Sequence, residues 1–85
     1  MKKKTYTVKA FWDDEAKVWC AEGVDVPGLC TEASTWNALI KKLNVMVPEM
    51  LEANGIINTS KDLDIPFSVT GEMMSVAHYR AMHCA

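Results

Sequence analysis

The chain has 85 residues, 49% of them hydrophobic and 24% charged, with a formal net charge of −2 at pH 7. That balance excludes a disordered segment, and the slight acidic excess argues against a strong nucleic-acid binder. A chain this short makes one domain with a thin core, burying about 60% of the surface its unfolded form exposes. Lys2, Lys3 and Lys4 make the only basic run. The residues behind it include Lys9, Asp13, Asp14 and Glu15, where a signal peptide would need unbroken apolar residues. No apolar run approaches the roughly 20 residues that cross a bilayer. A cytoplasmic protein without membrane contact is predicted. Three cysteines without close pairing, Cys20, Cys30 and Cys84, fit reduced thiols better than a disulfide framework, and Cys20 and Cys30 read as small hydrophobes packed in strands.

In chain order, residues 5–12 alternate, with Tyr6, Val8, Ala10 and Trp12 opposed to Thr7, Lys9 and Phe11, which predicts a strand. The polar run Asp13-Asp14-Glu15-Ala16 is the connection to a second strand over residues 17–23, completing an antiparallel hairpin. Next comes Val26-Pro27-Gly28-Leu29. Pro27 pre-sets the backbone angle of the second turn position, and Gly28 tolerates the positive φ that a type II turn needs at the third. A short third strand over residues 29–33 follows, and Ser34 or Thr35 offers a side-chain oxygen to the open amides of a helix. Trp36, Leu39, Ile40, Leu43, Val47, Met50 and Leu51 recur at helical spacing, with Met46 on the margin and Lys41, Lys42, Glu49 and Glu52 on the opposite side. Pro48 removes an amide donor inside that helix and predicts a kink or a break, while Asn54-Gly55 supplies a left-handed stop. Residues 56–64 read as a polar connection, through Asn58, Thr59, Ser60, Lys61 and Asp62. Ile65, Phe67 and Val69 then alternate with Pro66, Ser68 and Thr70 in a fourth strand whose proline suits an edge.

The fold class that follows is α+β: a two-layer β-β-β-α-β domain over residues 1–70, with one kinked helix on a mainly antiparallel sheet. Residues 71–85 form a tail that is either a strand extension or a short helix. One helix covers one face of a sheet. Phe11, Trp19, Ala21 and Cys30 are assigned to the other face, where an apolar patch in water invites association, so a homodimer or a complex with another protein is expected. Trp36 belongs to the helix stripe and so to the core, whereas Trp19 fits either the core or a partner contact.

No catalytic constellation emerges. Asp13, Asp14, Glu15, Glu22, Asp25 and Glu32 are numerous enough for a metal-dependent nuclease, yet three of them share a hairpin loop where charge ordinarily serves solubility. His78, His83 and Cys84 are metal ligands by type but form only one loose cluster, which reads as a frayed end. Neither a phosphate-binding loop nor a nucleophile paired with a base can be assembled. No metal, no cofactor and no enzymatic activity are expected.

Four stretches carry a family resemblance. They are Tyr6-Thr7-Val8-Lys9-Ala10-Phe11-Trp12-Asp13-Asp14-Glu15-Ala16, Val18-Trp19, Asp25-Val26-Pro27-Gly28-Leu29-Cys30-Thr31-Glu32-Ala33, and Val47-Pro48-Glu49-Met50-Leu51-Glu52-Ala53-Asn54-Gly55. Together with Ile65-Pro66-Phe67 they resemble the short HicB relatives grouped as a domain of unknown function. The resemblance implies part of a ribonuclease H-like fold and an antitoxin that forms dimers or larger assemblies. Such an antitoxin binds a small ribonuclease toxin, HicA, and masks its catalytic histidine and RNA-binding surface. Many HicB proteins also carry a helix-turn-helix or ribbon-helix-helix. Here residues 72–85 are too short for a helix-turn-helix and lack a basic recognition element, so direct nucleic-acid binding is not expected. The readings that remain beside the antitoxin are a stand-alone regulatory or ligand-binding homodimer and, ranked last, a ribonuclease H-like nuclease.

Overall fold

The computed structural model describes residues 4–57 and 62–81. Its elements are β1 (Tyr6–Asp13), β2 (Val18–Gly23), β3 (Cys30–Ala33), α1 (Trp36–Ala53) and β4 (Phe67–Glu72). The sheet runs β3-β2-β1-β4. β1 and β2 pair antiparallel, as do β2 and β3, whereas β4 lies parallel to β1. The molecule is thus α+β, with one helix on a mixed sheet. Parallel pairing follows from the connection: leaving β3, the chain crosses over β2 and β1 as a helix and comes down on the far side of β1, in the direction of β1 itself.

Local chemistry sets each element. Asp13 Oδ1 accepts from the amides of Glu15 and Ala16 at 3.0 and 3.2 Å, turning the chain into a four-residue loop that closes with Lys17 at φ 58°. At the next turn the Leu29 amide donates to the Val26 carbonyl at 3.2 Å with Gly28 at φ 78°, the type II geometry that Pro27-Gly28 predicts. Of the two candidate caps it is Thr35 whose hydroxyl accepts from the Ala38 amide, at 3.0 Å, while Ser34 stands one residue outside. Thr35→Ala is expected to cost about 1 kcal/mol and lower the thermal midpoint by roughly 4–8 °C, read by circular dichroism, with Ser34→Ala leaving it unchanged.

Pro48 does not break α1, which is one helix through Ala53. The missing amide leaves only the Asn44 carbonyl without its helical donor, at a position facing water. At the far end the Ile56 amide donates to Leu51 and the Gly55 amide to Glu52, both at 2.9 Å, with Gly55 at φ 68°. This paired pattern is a Schellman stop.

Leu39, Leu43, Val47 and Leu51 are fully buried, one per helical turn, against Val8, Ala10, Ala21, Val26, Leu29 and Ala33. Trp36 is half-buried and joins a chain of edge-to-face rings, its centroid 5.0 Å from Trp19, which lies 5.6 Å from Trp12. The end of the Trp36 ring sits where a side chain on Gly71 would begin, 2.6 Å from an ideal Cβ, so β4 approaches the helix layer through that glycine. α1 lies over β3 and β2 and leaves the start of β4 less covered.

Residues 73–81 carry neither helix nor strand and are exposed throughout. His83, Cys84, Lys2, Lys3 and the connecting residues Asn58, Thr59, Ser60 and Lys61 lie outside the described residues. Among the described residues no helix is long and apolar enough to cross a membrane.

Candidate binding face of the sheet

Strand register decides which side chains share the uncovered face. Trp12 pairs with Trp19 and Ala10 with Ala21, and residues directly opposed across a ladder point the same way. Trp19 and Ala21 therefore sit under the helix with Trp12 and Ala10, Ala21 being 1% exposed. Their assignment to the outer face is corrected, because the pleat carries them with the core set. Phe11 and Cys30 do lie on the outer face, and both are exposed. Cys30 is consequently not the packed small hydrophobe that its sequence context suggests, and Cys20 is only half-buried.

The outer face holds Thr7, Lys9, Phe11 and Asp13 from β1; Val18, Cys20 and Glu22 from β2; Cys30 and Glu32 from β3; and Ser68, Thr70 and Glu72 from β4. The face carries four carboxylates and one ammonium, a formal charge of −3, with Glu22 directly opposite Lys9. Phe11 stands in the middle, opposite Cys20 on one side and Glu72 on the other, with 47% of its surface exposed. Lost hydration, followed by the negative charges of Asp13 and Glu32, holds the Cys20 thiol above its ordinary pKa. Cys20 is thereby kept protonated and a poor nucleophile at neutral pH.

The remaining acidic residues are used elsewhere. Asp25 Oδ1 accepts from the Thr7 amide at 2.8 Å and Oδ2 lies 3.6 Å from Lys4 Nζ, whose ammonium also sits 5.1 Å from the Tyr6 ring centroid. Asp14 Oδ1 takes Lys17 Nζ at 2.8 Å and the Trp12 indole N–H at 3.3 Å. Six candidate carboxylates thus divide among a turn clamp, a hairpin loop and one sheet face. Among the described residues no three His, Cys, Asp or Glu side chains converge to hold a metal ion.

Sequence reasoning gave Asp25 no structural role. The Thr7 amide, then Lys4, hold its carboxyl below the usual carboxylate range. The folded-state pKa is depressed, so the stabilisation is complete above the unfolded value of about 4 and disappears as pH falls through the folded value. Asp25→Asn is expected to be less stable at pH 7 and to lose less stability than the wild type between about pH 5 and pH 2, measured by denaturant melts across that range. Parallel pH profiles would rule the clamp out.

A solved structure is similar to the chain: hypothetical protein TTHA1013 from the extremely thermophilic bacterium Thermus thermophilus. It is 46% identical, the match covers 89% of this chain and 100% of that one, and the TM-score is 0.64. No curated protein matches significantly. Residues 5–78 match the family described as "Domain of unknown function (DUF1902)", a span that takes in every strand, the helix and the acidic face. The chain belongs to that family.

Proposed function

We propose that this chain is a non-catalytic, cytoplasmic protein-binding domain of the HicB antitoxin kind, which neutralises a small basic ribonuclease of the HicA kind by covering its RNA-binding surface. The observation that carries the reading is the outer face, where Glu22, Glu32, Glu72 and Asp13, whose carboxylate also caps the hairpin loop, share one surface with the exposed Phe11 and a single ammonium, that of Lys9. An aromatic anchor inside a charged rim is the composition of a protein contact. Its sign repels RNA phosphates and attracts the basic surface that binds them. Binding is by complementarity, so association should quicken at low ionic strength and weaken with salt.

The test uses a HicA-like ribonuclease encoded beside this chain. Equimolar protein should stop RNA cleavage, and Glu22→Lys with Glu32→Lys should raise the concentration required at least tenfold, with a single Phe11→Ala acting in the same direction. These positions are exposed or half-buried on the solvent side of the sheet, so circular dichroism should be unchanged. Capture from the native cell that recovers no small basic protein, or inhibition indifferent to the three substitutions, overturns the reading.

A further inference from the structure

α1 and β4 run side by side in opposite directions. At one end the Trp36 ring reaches Gly71, and at the other Asn44 and Pro48 line a groove with Asp64, Ile65 and Phe67. The groove measures about 410 Å³, and a hollow of about 180 Å³ that shares Leu63, Asp64 and Ile65 extends it toward Tyr6. Tyr6 stands opposite Phe67 and the fully buried Val8 opposite Val69, so Phe67 and Val69 face the helix layer. Both are nevertheless only half-buried.

The free edge of β4 borders this groove. The Tyr6 amide donates to the Pro66 carbonyl at 3.0 Å, and a parallel ladder in that phase turns the backbone groups of Ser68 and Thr70 toward β1 as well. The N–H and C=O of Phe67 and Val69 therefore point away from the sheet, where no further strand lies among the described residues. The residues with outward backbone groups are thus the ones whose side chains face α1. A strand added to this edge must put the side chains opposite Phe67 and Val69 on the groove side, because directly opposed residues share a face.

Hydrogen-bond acceptors mark the end of the groove at the start of β4. Asp64 takes part in neither ion pair among the described residues, and the Asn44 carbonyl has lost its helical donor to Pro48. Lys4, which lines the adjoining hollow, is turned to Asp25.

We propose that this cleft binds an extended peptide segment of another protein, added to β4 as an antiparallel fifth strand, with alternate apolar side chains in the groove and a basic residue beside Asp64. Antiparallel addition sets the carboxyl-terminal side of the peptide at the start of β4, so the basic residue follows the apolar pair. Main-chain bonds to Phe67 and Val69 supply affinity, while the apolar groove and the Asp64 carboxylate select the side chains. The cleft lies at a strand edge and not on the acidic face, so the proposal stands whether or not a ribonuclease binds there.

The probe is the fluorescein-labelled peptide Ser-Thr-Val-Thr-Leu-Thr-Gly-Lys-Arg, which sets Val opposite Val69, Leu opposite Phe67 and Lys opposite Asp64. Fluorescence anisotropy should show binding in the micromolar range. Methylating the backbone nitrogens of its Val and Leu, which face β4, should weaken binding roughly tenfold or more, whereas methylating those of the Thr residues on either side of Val should change it less than about threefold. Asp64→Lys should weaken this peptide roughly tenfold and favour one ending in Glu-Glu. On saturation the Phe67 and Val69 amides should become slow to exchange with deuterium. Equal effects of the two methylations, binding indifferent to Asp64→Lys, or no binding at about 1 millimolar protein overturns the proposal. So does slow exchange of those two amides in the free protein, since the edge would then be covered by another copy of the chain.

Discussion

Leu43→Ala is expected to lower stability by about 2–5 kcal/mol, a large share of the roughly 5–15 kcal/mol available to a domain. At about 3 kcal/mol the thermal midpoint would fall by roughly 12–24 °C. Leu43 is the second of the four fully buried residues that run along α1, with Leu39 and Val47 a turn away on either side. The cost belongs near the upper part of the range because the sheet beneath is built from small residues. Ala10, Ala21 and Ala33 have no side chain to swing into a hole, so the lost isobutyl group leaves a void instead of a repacked contact. Urea melts with the slope held constant measure it. A loss below about 1 kcal/mol would mean that the alanine-floored core collapses around the deletion, contrary to the packing described.

Gly23→Ala is the other severe change, for the opposite reason. A Cβ there would lie 2.4 Å from the Val26 carbonyl oxygen, 2.9 Å from Val26 Cβ and 3.0 Å from Leu29 Cβ. The nearest obstacle is backbone and cannot rotate aside. That same carbonyl accepts the Leu29 amide, and the Gly23 amide donates to the Leu29 carbonyl at 3.0 Å, so relief by backbone movement opens the Pro27-Gly28 turn from both sides. Overpacking of this kind costs about 3 kcal/mol or more, and the predicted result is a large drop in midpoint together with poor recovery of folded protein. Gly55→Ala provides the comparison. Nothing lies within 4 Å of a Cβ there, leaving only the strain of the left-handed backbone, about 1–2 kcal/mol. Equal losses from the two substitutions would contradict the steric account.

Much of this architecture was legible in the residue order. Alternation located the strands, the Pro-Gly turn its geometry, and the apolar stripe the buried side of α1, because each depends on neighbours a few positions apart. Face assignment went wrong at Trp19 and Ala21, although the information was present. Any hairpin loop with an even number of residues between β1 and β2 sets Trp19 and Ala21 on the side of Ala10 and Trp12, and the loop runs from Asp14 to Lys17. Chemical character competed with that arithmetic, since Phe11 and Trp19 in adjacent strands invite placement in one patch.

The parallel partnership of β4 with β1 was out of reach, because it depends on where a helix of 18 residues sets the chain down. So were the clamp of Asp25 on the Thr7 amide and the seat of the Trp36 ring on Gly71, which join positions 18 and 35 residues apart. The acidic face around Phe11 is intermediate. Its members are visible singly, but only the register shows that Asp13, Glu22, Glu32 and Glu72 share a surface.

The position of β1 between β2 and β4 has a consequence for synthesis. The first three strands and α1 are consecutive, so they can assemble while the residues of β4 are still inside the ribosome. Until β4 emerges, the free edge of β1 is open to any extended segment nearby. A chain halted before β4 is made would therefore be the species most prone to mispair, and Phe67–Glu72 would act as the closing stitch of the domain.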